Sequence, residues 1–145
     1  MIAESLRPVL LVEDSPDDAE FTRRAFARCG VAHPLVVVDE PQRALSLLAG
    51  SGGSLPLAPV LVLVDLNLPG CGGKELVERI KSDASLRTIP LVVFSTSSQD
   101  ADVEHCYRYG ANSYHRKPTN LRDFETTIRE IVHYWLSAVL SPPTF

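Results

Sequence analysis

Cysteine is scarce in this chain and badly placed for covalent scaffolding. The three residues, Cys29, Cys71 and Cys106, are widely separated and form neither a C-x-x-C pair nor an even set. That excludes a disulfide framework and makes a reducing cytoplasm the expected setting. Long apolar runs are missing too. Nothing approaches the about 20 residues that cross a bilayer, and the opening residues, with Glu4 among them, lack the apolar core of a signal peptide. No membrane attachment and no export are expected. An excess of positive charge is also absent, since 14 Lys+Arg face 18 Asp+Glu for a net charge of -4. Without a basic stripe the chain has no electrostatic grip on nucleic-acid phosphates.

What remains is an ordinary single-domain composition: 145 residues, 45% of them hydrophobic, with no repeat and no low-complexity tract. Residues 1–145 are expected to form one domain, with a core over about 8–135 and a C-terminal helical extension and tail over 136–145. Short, β-branched apolar runs recur at Val9 to Val12, Leu35 to Val38, Val60 to Val64 and Leu91 to Phe94, with a weaker fifth candidate from Ala111 to His115. Runs without polar alternation are the pattern of parallel strands covered on both faces. Between and after them lie helical segments, Asp17 to Cys29, Pro41 to Leu48, Gly73 to Ser82, Ala101 to Tyr109 and Leu121 to Leu140. Ser15-Pro16-Asp17-Asp18 supplies an N-cap, a proline at the first helical position and acids for the helix dipole. Strand-helix alternation argues an α/β doubly wound parallel sheet. Ala49 to Pro59, rich in glycine and proline, reads as a surface loop, and the tail Ser141 to Phe145 as frayed or docked on a partner.

In such a sheet, ligands bind beyond the carboxyl ends of the strands, where the strand order reverses. The positions just past each run are Glu13 and Asp14, Asp65, Ser95 and Thr96, and Lys117. Any one of them is explained as a polar strand ending. The set is not, because three gathered carboxylates repel one another unless a cation joins them. A hard divalent ion with oxygen ligands resolves the repulsion, and Mg²⁺ suits carboxylates that also leave room for water and phosphate oxygens. Glu13 and Asp14 would hold it. Asp65, after the most central-looking run, is the candidate nucleophile toward phosphorus, with Lys117 and Ser95 as donors to the phosphoryl oxygens.

Four segments, Leu11-Val12-Glu13-Asp14, Val64 to Gly70, Phe94 to Ser97 and Gly110 to Pro118, carry a family resemblance. The chain resembles the receiver domain of two-component response regulators from Val9 to about Tyr134. The resemblance implies a flavodoxin-like five-stranded sheet of order 2-1-3-4-5 with five helices. It implies a phosphoacceptor at Asp65, catalytic partners Lys117 and Ser95, and Mg²⁺ held by Glu13, Asp14, Asp65 and the main-chain carbonyl of Asn67. Ser95 and Tyr114 fall on the switch positions, Asn67 and Ser97 on positions that tune the phosphoryl lifetime, and Lys117-Pro118 on a cis peptide.

The implied function is that of a phosphoacceptor served by a histidine kinase, catalysing only its own phosphorylation and dephosphorylation. Phosphorylation would draw in Ser95, open space for Tyr114 and reshape a protein-interaction surface. Ile128, Ile131, Val132, Tyr134, Trp135, Leu136, Val139 and Leu140 are more apolar than one packed stripe requires. A homodimer through that C-terminal helical face, and a downstream protein target, are therefore expected. The long loop after the second helix, the Phe-Ser-Thr-Ser segment and the C-terminal extension look like those of regulators paired with bacterial phytochrome kinases. The competing reading is a Mg²⁺-dependent phosphatase working through an aspartyl phosphate, which needs an acid two residues past the nucleophile, where Asn67 stands. Gly70-Cys71-Gly72-Gly73-Lys74 is too short for a phosphate loop. The histidines, His33, His105, His115 and His133, show no metal-ligand spacing, and Cys71 has no base beside it.

Overall fold

The computed structural model describes residues 6–70 and 72–143, so Cys71 lies outside the described residues. Five parallel strands, β1 (Val9–Val12), β2 (Leu35–Val38), β3 (Leu61–Val64), β4 (Leu91–Ser95) and β5 (Ser113–Arg116), alternate with α1 (Pro16–Arg28), α2 (Pro41–Ala49), α3 (Gly72–Ser82), α4 (Asp100–Arg108) and α5 (Leu121–His133). The strand order is β2-β1-β3-β4-β5, as the resemblance implies.

Side-chain alternation divides the core. Leu10, Val12, Val62, Val64, Leu91 and Val93 face α2, α3 and α4, while Val9, Leu11, Leu61, Leu63, Val92 and Phe94 face α1 and α5. The three middle strands are buried along their whole length, which is why their sequences carry no polar alternation. β5 lies at the sheet edge and is only half-buried, so its signal is weak and the strand begins two residues later than expected.

Ser15 caps α1 by accepting the Asp18 N–H at 3.2 Å, and Asn120 caps α5 by accepting the Asp123 N–H at 2.9 Å. Helix α5 buries Phe124, Ile128, Ile131 and Val132, one face at helical spacing. Two expectations at this end need correction. The α-helix stops at His133 and continues as a π-helical turn, Tyr134–Ala138, with Val139 extended, so no helix reaches Leu140. Nor is the described tail frayed, because the Arg7 guanidinium donates to the Pro142 carbonyl at 3.0 Å.

Candidate functional site

Ladder hydrogen bonds run one residue past the strands and fix the site. The Glu13 N–H reaches Val38 O at 2.9 Å, the Asp65 N–H reaches Val12 O at 3.0 Å, and the Lys117 N–H reaches Ser95 O at 2.7 Å. The first crossover goes to β2 on one side of β1 and the next to β3 on the other, so Glu13 and Asp65 emerge side by side at the reversal. Among the described residues the buried polar or charged ones are Glu13, Thr22, Asp65, Ser95 and Lys117, and all but Thr22 stand on this edge. Asp14 is exposed at the rim.

One carboxylate oxygen from each of Glu13, Asp14 and Asp65 lies within 4.8 Å of the other two. An octahedral ion with ligands at about 2.0–2.1 Å spans such a set with small side-chain adjustment, and hard oxygen donors are what Mg²⁺ and Mn²⁺ accept. These residues fit a divalent cation. The expectation that only such an ion makes the cluster tolerable is corrected, because Lys117 neutralises part of it. Its Nζ donates to Glu13 Oε1, to Asp18 Oδ2 at 2.8 Å and to Asp65 Oδ2 at 3.3 Å. Four carboxylates against one ammonium still leave the edge negative. Burial pushes the Glu13 carboxyl up to about 7, against the pull of Lys117 and helped by neighbouring Asp65. Burial also opposes the charged form of Lys117, but hydrogen bonds to Asp18 and Glu13 outweigh it and hold the ammonium above the usual lysine value.

The response regulator receiver domain family matches residues 9–129. This chain belongs to that family. The receiver is 39% identical to the probable methanogenesis regulatory protein FilR2 of Methanothrix harundinacea, over 92% of this chain and 86% of that protein. It is 34% identical to response regulator Rcp1 of Synechocystis sp., covering 92% of each. Among solved structures, the phosphorylated cyanobacterial phytochrome response regulator RcpA superposes with a TM-score of 0.90 at 35% identity, over 95% of this chain and 99% of that one. The Mn²⁺-bound form of Rcp1 gives 0.88 at 33% identity, over 94% and 99%. The receiver is thus a response regulator with an acidic pocket of Glu13, Asp14 and Asp65, typical of the phosphorylation site and able to hold a metal ion.

Around this pocket the receiver arranges its remaining candidates in two hydrogen-bonded groups. The Asn67 N–H donates to Asp65 Oδ1 at 3.2 Å and its side-chain amide to Thr96 Oγ at 3.3 Å. Ser95 is fully buried, and its hydroxyl oxygen accepts the Ser97 N–H at 3.3 Å. The Ser97 hydroxyl donates to Asp102 Oδ2 at 2.5 Å, while Lys74 Nζ holds the other Asp102 oxygen at 3.0 Å. Tyr114 is half-buried, its hydroxyl donating to the Ser97 carbonyl in the loop after β4 at 2.7 Å. The expected cis bond at Lys117-Pro118 is corrected, because no described peptide bond is cis. The two isomers of an X–Pro bond differ by only about 0.5–1 kcal/mol, so proline permits cis without requiring it.

Two site residues escape a reading of strand ends. Asp18 grips Lys117 from the first turn of α1, where an acid is fully explained by the helix dipole. Gly73 lets α3 start against the pocket loop, because a Cβ there would stand 2.3 Å from the Asp65 carbonyl oxygen and 2.5 Å from Leu66 Cα. The glycine cluster from Gly70 to Gly73 was the available signal for the second. For Asp18 the sequence offered none.

Proposed function

We propose that this receiver, working as one unit over residues 1–145, accepts a phosphoryl group on Asp65 from the phosphohistidine of a histidine kinase and relays the signal to a protein partner. The observation that carries this is the Asp65 carboxylate at the strand-order reversal, between a metal-binding acid set and Lys117 Nζ at 3.3 Å. An Asp65 oxygen attacks phosphorus, the P–N bond breaks, and the leaving imidazole takes up a proton. Mg²⁺, held by Glu13, Asp14, Asp65 and the Asn67 carbonyl, supplies neutralisation of the phosphoryl charge when bound. Lys117 and Ser95 donate to the phosphoryl oxygens.

The added charge of about -1.5 to -2, as for other phosphorylated side chains, then competes for Ser95. Movement of Ser95 pulls on the Ser97 N–H, and Ser97 ties both Tyr114 and the Asp102 carboxylate of α4, so the switch reaches that helix through named hydrogen bonds. Asn67 and Ser97 flank the approach to the phosphoryl group and set its lifetime. The phosphatase reading finds no support, since the residue two past Asp65 is an amide.

A phytochrome-type kinase as the donor is supported by the relatives, several of which are phytochrome response regulators by name. Homodimerisation is proposed through the C-terminal helical end, where Tyr134 and Leu140 stay 53% and 99% exposed beyond the buried stripe. A cytoplasmic location fits both kinase access and the scarcity of cysteine. Transfer from an autophosphorylated phytochrome kinase carrying labelled phosphate tests the reading. Label should move to the wild-type chain and not to Asp65→Asn. Label that stays on the kinase argues against that donor, and equal labelling of the variant argues against the acceptor.

A further inference from the structure

A lysine ammonium has three N–H donors and no acceptor. In Lys117 all are taken, by Glu13, by Asp18 at 2.8 Å and by Asp65 at 3.3 Å. A phosphoryl group on Asp65 brings new oxygens that need a donor, so one carboxylate must let go. Asp18 is the one that gives up least. Its side chain is 28% exposed against 3% for Glu13 and 8% for Asp65, so water replaces the lost contact with little desolvation. The hydrogen bonds by which Asp18 serves the helix also belong to its main chain, whose N–H donates to Ser15 Oγ and whose carbonyl accepts the Thr22 hydroxyl at 2.8 Å. The carboxylate therefore swings without disturbing α1.

We propose that Asp18 is a resident competitor for the phosphoryl group, a positioning residue that holds Lys117 over Asp65 in the unphosphorylated chain and yields the ammonium when a phosphoryl oxygen arrives. The inference rests on Asp65 as the acceptor. It makes the grip on the phosphoryl group a difference between two anionic contacts to one ammonium, and so weaker than Lys117 alone would give. A carboxylate that merely props Lys117 in place predicts the opposite sign, because its removal would let the lysine wander and loosen the phosphoryl contact.

The experiment titrates the full chain with beryllofluoride, which adds to a carboxylate oxygen as a phosphoryl mimic, at saturating Mg²⁺, with binding read by NMR. Asp18→Asn keeps the shape and removes the charge. It should bind about tenfold tighter than wild type, the scale of one charge-assisted hydrogen bond. Asp18→Glu, which keeps the charge, should stay closer to wild type. The gain should persist at high salt, since a direct contact is screened far less than a long-range field. Equal or weaker binding by Asp18→Asn, a gain that disappears in salt, or Asp18→Glu matching Asp18→Asn overturns the inference and leaves the acceptor standing. A wild-type chain that binds no beryllofluoride overturns the acceptor reading and the inference with it.

Discussion

Two sheltered cations stand at opposite ends of the sheet, and they are matched in opposite ways. At the carboxyl edge Lys117 meets three carboxylates, Glu13, Asp18 and Asp65. At the other end, among the described residues, Arg7, just before β1, meets neutral main chain, donating to Ala58 O at 3.1 Å, Pro59 O at 2.7 Å and Pro142 O at 3.0 Å. Burial lowers the Arg7 pKa. A cation paired with anions can exchange one anion for another, and the charge sum barely changes. A guanidinium forked onto fixed carbonyls has nothing to exchange, so it fastens chain segments together. One end is built to change partners and the other to keep them.

Removing the cation at each end sharpens the contrast. Lys117→Ala leaves buried Glu13 and Asp65 facing each other, so without divalent ions the chain should lose about 3 kcal/mol in urea unfolding. Its phosphoryl uptake should fall about a hundredfold, the usual cost of a lost charge-stabilising donor. Next in size is Gly73→Ala, whose Cβ would collide with the Asp65 carbonyl, 2.3 Å away. Overpacking of that kind costs about 1–3 kcal/mol and should slow uptake as well, because the loop carrying Asp65 must shift. Arg7→Ala should cost about 1–2 kcal/mol of stability and leave the uptake rate unchanged. A slower uptake in that variant would break the division between the two ends.

The smallest effect concerns Asp102, a half-buried acid in the first turn of α4. The Ser97 hydroxyl first, and Lys74 second, hold its carboxyl below the usual aspartate value. A depressed folded-state pKa contributes stability above the unfolded value, lost as pH falls through the folded one. Asp102→Asn should therefore flatten the decline in stability below about pH 4, by a small amount because the pair is near solvent. Wild-type and variant acid-unfolding curves that run parallel would contradict this.

The same contrast explains what could be read beforehand. Val9 to Val12, Val60 to Val64 and Leu91 to Phe94 are legible as strands because burial on both faces leaves one residue class. Glu13, Asp14, Asp65 and Lys117 stand within two residues past strand ends and Ser95 closes β4, so the topology gathers them without further information. Asp18 was hidden because its local role in the helix already accounts for it. The end of α5 was hidden because the apolar pattern continues through Trp135, Leu136 and Leu140 while the backbone leaves the α-helix after His133. The tail contact depends on Arg7, separated from Pro142 by 135 positions, and no local pattern encodes such a pairing. The isomer at Pro118 is set by tertiary context, which residue type alone does not carry.

Intact mass after incubation with a small acyl-phosphate donor tests the central claim most directly. One phosphoryl group per chain should appear, only with Mg²⁺ present, and Asp65→Asn should gain none. A wild-type chain that stays unmodified, or a variant modified to the same extent, would contradict the account.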